Sequence, residues 1–113
     1  MTKKKYNPQL YMAAKRNNPS RKRQALKEAR DIARFLTETY GAKVYGIGSL
    51  FDNERVFSNT SDIDLVVEGI PKNKFFSICA EAAELSQFSI DIIPYEDANE
   101  LVRETVHERG VLL

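Results

Sequence analysis

Between Ser20 and about Thr39 the apolar positions Ala25, Ala29, Ile32, Ala33 and Leu36 recur at helical spacing, which predicts a helix with one buried face. Ser20 stands where an N-cap belongs, and Gly41 where a left-handed C-cap would end it. Ala42–Ile47 is a short run with Val44, Tyr45 and Ile47 between glycines, which reads as a strand. The polar stretch Ser49–Thr60, with a Val56-Phe57 island, reads as a short helical turn followed by a loop. From Ser61 to Glu68 the chain alternates: Ile63, Leu65 and Val67 share a core face, and Asp62, Asp64 and Val66 share the other.

Gly69-Ile70-Pro71 is a stop, and Pro71 is placed to open a helix to about Ser86. Its Phe75, Phe76, Cys79, Ala82 and Ala83 are expected in the core. Phe88–Tyr95 returns to strand, its apolar run interrupted by Asp91. Asp97 is placed to cap a last helix that Gly110 ends, leaving Val111 to Leu113 to trail off. Helix, strand, strand, helix, strand, helix is the pattern of a small α/β fold with a short mixed sheet flanked by helices.

Charge divides the chain. Residues 1–34 carry eleven Lys and Arg against two acids, and the remainder six against fourteen, although the whole of 113 residues nets +1. Residues 1–19 therefore read as a basic, partly mobile arm in which Asn7-Pro8 can open a short helix through Ala14, and residues 20–113 as a single domain. Tyr6 and Tyr11 beside the arm's lysines leave nucleic-acid binding open, with a solvated arm as the plainer reading. One cysteine rules out an internal disulfide, and no apolar run reaches the length of a membrane span, so the expectation is a cytoplasmic protein without membrane contact.

Chemistry concentrates between Gly48 and Asp91. In a strand, Asp62 and Asp64 point the same way roughly 7 Å apart. Such a pair repels itself unless a cation intervenes, and hard divalent ions such as Mg²⁺ take oxygen ligands of this kind together with substrate phosphates. Asp91 on a neighbouring strand can add a third carboxylate, which suits a two-metal phosphoryl-transfer site. Gly48 lets backbone approach a phosphate, and Ser49 can donate a hydroxyl to it at a following helix start. Cys79 reads as a core residue and His107 as a structural one at a helix end.

Gly48-Ser49, Ser61-Asp62-Ile63-Asp64-Leu65-Val66-Val67, Ile90-Asp91-Ile92-Ile93 and the ending Glu108-Arg109-Gly110-Val111-Leu112 together resemble the minimal nucleotidyltransferases of the DNA polymerase beta superfamily. The resemblance covers residues 20–113 and implies a polymerase beta-like nucleotidyltransferase fold. It further implies that Gly48 and Ser49 hold a nucleoside triphosphate, that Asp62 and Asp64 bind two Mg²⁺ ions, and that Asp91 binds one and helps deprotonate an attacking hydroxyl. A nucleoside monophosphate, AMP from ATP in the first instance, would pass to the acceptor with release of pyrophosphate. Small members of this kind often pair with a helical HEPN toxin and adenylylate one of its tyrosines, so an antitoxin role is implied too.

Where many relatives read Gly-Ser-x-Ala-x-Gly with an arginine close by, this chain continues Leu50, Phe51, Asp52, Asn53. Asn53 can take the left-handed conformation of the missing glycine. Arg55, Lys43 and Lys72 are three candidates for the missing cation. The alternatives to catalysis are a binding subunit that neutralises its partner by contact alone, and a nucleic-acid-binding module led by the arm.

Overall fold

The computed structural model describes residues 19–113. The arm, with its expected short helix, lies outside the described residues. Helix α1 spans Pro19–Tyr40. Proline suits the first helical position, where its missing N–H has no partner to lose. Ser20, expected as the cap, instead lies inside the first turn, and its Oγ accepts from Arg23 Nη2 at 3.3 Å. Ala25, Ala29, Ile32, Ala33 and Leu36 are all at most 2% exposed, as the spacing predicts. The helix ends at Gly41, whose φ of 70° is left-handed and whose N–H donates to Thr37 O at 2.9 Å.

Strands β1 (Lys43–Ile47), β2 (Ile63–Glu68), β3 (Ile90–Pro94) and β4 (Val111–Leu112) form one mixed sheet in the order β3-β2-β1-β4. β1 runs antiparallel to β2 and to β4, and β2 runs parallel to β3. The parallel pair requires a crossover, and helix α2 (Phe75–Ala83) supplies it. Expected as a trailing end, Val111-Leu112 is instead an edge strand in register with Tyr45 and Gly46, and Leu113 N–H donates to Val44 O at 2.9 Å. Pairing satisfies backbone groups that the two-residue run could not satisfy locally.

The main core lies between one sheet face and helices α1 and α2, where Val44, Ile63, Leu65 and Val67 meet Ile32, Leu36, Ile78 and Ala82. Leu50 and Phe57 complete it, and the Phe51 ring lies where a side chain on Gly46 would stand. Val66, expected on a charged outer face, is fully buried. Helix α3 (Glu100–Arg109) lies against β1 on that side, burying Val106, while Tyr45 and Tyr95 meet edge-on with centroids 6.4 Å apart. The outer face of β2 is polar only at its two ends, at Asp64 and Glu68.

Two further expectations are corrected. Pro71 precedes a 3₁₀ turn at Lys72–Lys74, and α2 starts at Phe75 and stops at Ala83 rather than Ser86. Its buried residues are Ile78 and Ala82, with Phe75 and Cys79 only half-buried, whereas Phe76 is 86% exposed and Ala83 is exposed. Phe76 stands about 200° round the helix from Ile78, so with Ile78 inward its ring faces solvent. At α3 the cap is Asn99, whose Oδ1 accepts from Val102 N–H at 2.9 Å, while Asp97 closes a 3₁₀ turn at Tyr95–Asp97. Among the described residues no helix is long and apolar enough to cross a membrane.

Candidate active site

Gly48 leaves β1 with φ of 82°, a conformation in which an L side chain is strained. A Cβ at that position would stand 2.5 Å from Asp64 Oδ2, so the Asp64 carboxylate lies against the bare glycine backbone. Register explains the approach. Asp64 pairs with Ile47, the residue before Gly48, and on its other side with Asp91 in parallel β3. Cross-strand partners point to the same face, which sets the two aspartates side by side.

Asp62 departs from expectation, because β2 begins at Ile63 and leaves it exposed just outside the strand. Asp91 is exposed too, on an edge strand of the sheet. Asp64 is half-buried, and burial pushes its carboxyl above the ordinary carboxylate range, with the charges of Asp91 and Asp62 pushing the same way. The three acids thus form one electrostatic unit centred on Asp64. Among the described residues no three His, Cys, Asp or Glu side chains are already gathered closely enough to hold a metal ion. An all-oxygen, all-anionic donor set is the chemistry that suits a hard divalent ion.

Of the three candidate cations, Arg55 is the one whose charge acts on Asp64, holding its carboxyl down against the other influences. Lys43 pairs in register with Glu68 at the far end of β2, and Lys72 reaches Asp97 at 3.5 Å. Ser49–Thr60 is a chain of turns rather than a helical turn, with Phe51 N–H on Gly48 O at 3.1 Å and Arg55 N–H on Asp52 O at 3.0 Å. Ser49 therefore follows Gly48 into a turn and does not stand at a helix start. Among the described residues no side chain other than glycine has positive φ, so Asn53 does not replace a left-handed glycine. Arg109 anchors the loop from α3, its Nη1 2.9 Å from Asp52 Oδ2. The backbone N–H of Glu54 first and Arg109 second hold the Asp52 carboxyl down.

Two α1 residues that sequence reasoning passed over position the segments that carry the aspartates. Arg21 donates from Nε to Ser58 O at 3.3 Å and from Nη2 to Ser61 O at 3.5 Å, with its guanidinium 4.7 Å from the Phe88 ring centroid and 5.5 Å from that of Phe57. It ties down the turn that leads into Asp62. Glu28, 7% exposed, accepts from Ser86 Oγ at 2.5 Å, from Gln87 N at 2.9 Å and Nε2 at 3.0 Å, and from Gln24 Nε2 at 2.7 Å. It fixes the turn that leads into β3 and Asp91. The sequence carried a signal for both, because Arg21 and Glu28 fall on the apolar stripe of α1, where a charge must find partners.

Cys79 lies half-buried in α2, where burial and then the Asp91 charge push its thiol up, so it is not poised as a nucleophile. His107 Nε2 lies 3.3 Å from the Tyr95 hydroxyl in the last turn of α3.

No protein-family model matches the chain, and no curated protein matches it. Solved structures do. A chain from a crystal structure of the toxin–antitoxin MntA–HpeT, in a mutant form, superposes with a TM-score of 0.62 at 15% identity, covering 74% of this chain and 70% of that one. A chain from a second mutant of the same pair gives 0.60 at 18% identity, covering 74% and 69%. The residues around Gly48, Asp64 and Asp91 are therefore set in a fold shared with chains of that toxin–antitoxin pair, here a four-stranded mixed sheet with helices on both faces.

Proposed function

We propose that this chain is an Mg²⁺-dependent nucleotidyltransferase that transfers a nucleoside monophosphate, AMP from ATP in the first instance, to a hydroxyl of a partner macromolecule. The observation that carries the reading is the Asp64 carboxylate lying against Gly48 while in register with Asp91. That juxtaposition brings a phosphate-accepting backbone and paired acids to one spot, and phosphoryl transfer mostly requires such positioning and charge neutralisation.

In this reading Gly48 and Ser49 hold the triphosphate, and Arg55 neutralises part of its charge. Asp62, Asp64 and Asp91 would hold two Mg²⁺ ions, which supply charge neutralisation at the α-phosphate and the departing pyrophosphate. Asp91, the exposed member, also takes the proton of the attacking hydroxyl. An oxygen–phosphorus bond forms at the α-phosphate, the α–β anhydride bond breaks, and pyrophosphate leaves. A partner protein, the tyrosine of a HEPN-type toxin in the first instance, is the acceptor this reading favours. Support comes from neighbours in fold that are chains of a toxin–antitoxin pair. The setting is the cytoplasm, consistent with a lone free thiol.

ATP labelled at its α-phosphate, incubated with Mg²⁺ and host extract, tests this. Label on a macromolecule with the natural chain, and none with Asp62→Asn/Asp64→Asn, is the expected result. Absence of transfer with each of the four triphosphates, in an extract containing the partner, would leave a subunit that acts by contact alone.

A further inference from the structure

At the opposite end of β2 and β3 from Asp64 and Asp91 lies a cleft of about 620 Å³. Its walls are Ile70, Pro71, Phe75, Phe76 and Pro94. Phe76 is 86% exposed yet stands edge-on to half-buried Phe75, with centroids 5.8 Å apart. The wall opposite is built and held. Glu96 Oε2 accepts Gly69 N–H at 2.8 Å, and Arg103 Nη2 donates to Tyr95 O and Glu96 O at 3.2 and 2.9 Å with its guanidinium 5.0 Å from the Tyr95 ring centroid. A cleft framed this way exists before any ligand arrives, and its size is ordinary for a binding site.

The rim carries more acid than base. Of the residues that line the cleft, Glu96 and Asp97 are acidic and Lys72, paired to Asp97 at 3.5 Å, is basic, while Arg103 is drawn onto the backbone carbonyls of Tyr95 and Glu96. Apolar walls beneath an excess of carboxylate fit an apolar side chain next to a positive charge. They disfavour phosphate-bearing ligands, and a second copy of the same face would set acid against acid.

We propose that this cleft is a protein-docking site, separate from the aspartate site, that takes a segment of a partner protein in which an aromatic or aliphatic anchor is followed by lysine or arginine. The anchor packs between Pro94 and the Phe75–Phe76 pair, and the cation meets Glu96 and Asp97. Docking does not use Asp62, Asp64 or Asp91 and stands whether or not nucleotide is transferred.

Two-dimensional amide NMR of the full chain at low salt, titrated with the capped peptide Gly-Leu-Phe-Lys-Lys-Gly, tests it. Saturable shifts at Ile70, Phe76 and Asp97 are expected. A peptide with glutamates for the lysines, or serines for Leu-Phe, should bind at least about tenfold more weakly. Phe76→Ser removes an exposed ring and leaves the core intact, so it should abolish the shifts in a folded protein. Glu96→Gln/Asp97→Asn keeps an acceptor for Gly69 N–H and should weaken binding about tenfold. Equal response to the acidic peptide, shifts confined to other surfaces, or none at millimolar peptide would overturn the proposal. So would a concentration-dependent dimer that Phe76→Ser dissolves, since the patch would then serve self-association.

Discussion

Glu28→Ala removes the group that joins α1 to the turn before β3, and its cost can be worked from the contacts. Burial alone would push this carboxyl up, but hydrogen bonds from Ser86, Gln24 and Gln87 outweigh it and hold the pKa at about 2, against 4.5 for the free group. At about 1.4 kcal/mol per pKa unit, linkage bounds the contribution of the ionised form near 3 kcal/mol, and because the cluster borders solvent, screening brings this to about 2 kcal/mol. Hydrogen bonds to a charged acceptor give the same scale, about 1.5–3 kcal/mol. For a domain of this length that is a fall in melting temperature of roughly 10 °C.

The folded pKa lies below the unfolded one, so the native state binds fewer protons. Stability from this group is full above pH 4.5 and is lost as pH falls toward about 2. Urea unfolding of the natural chain, Glu28→Ala and Glu28→Gln at a series of pH values measures it. The gap between the natural chain and either variant should be widest near neutrality and shrink below pH 4.5. A gap under about 0.5 kcal/mol at neutral pH, the scatter of ordinary surface substitutions, or one that does not change on acidification, would refute the reasoning.

At Gly48 the same logic concerns space and backbone: Gly48→Ala meets positive φ and the Asp64 carboxylate together, so it should cost about 1–3 kcal/mol by thermal melting and abolish binding of Mg²⁺ and nucleotide in calorimetry. Asp64→Asn should act in the opposite sense on stability. A carboxyl raised in the folded state favours folding below the ordinary carboxylate range and loses that contribution as pH rises through its folded pKa. In EDTA at neutral pH the asparagine variant should therefore melt a few degrees higher than the natural chain, and added Mg²⁺ should reverse the order. Arg55→Ala, an exposed change, should leave stability within about 0.5 kcal/mol while raising the KM for the triphosphate roughly tenfold, with Lys43→Ala as the silent control.

Much of this protein was legible in its residues because the relevant forces are local. The helical stripe from Ala25 to Leu36, the alternation of Ile63, Leu65 and Val67, and the glycine ending of α1 each answer to periodicity or to a backbone conformation that one residue dictates. Gly48, Asp62, Asp64 and Asp91 stood out because their chemistry is unusual in strand context. Other features needed the assembled fold. Phe76 and Ile78 stand on opposite faces of their helix, and only the position of the sheet decides that the Ile78 face is buried and the Phe76 face exposed. Val111-Leu112 becomes a strand only because β1 offers it a free edge.

The choice of Arg55 over Lys43 and Lys72 depends on how the loop folds back on β2, and the recruitment of Glu28 and Arg21 as struts joins residues dozens of positions apart. Periodicity reports which way a side chain points from its own element. What it meets there, and hence whether a charge is solvated, paired or set against another aspartate, depends on strand order and register, which are settled by non-local packing.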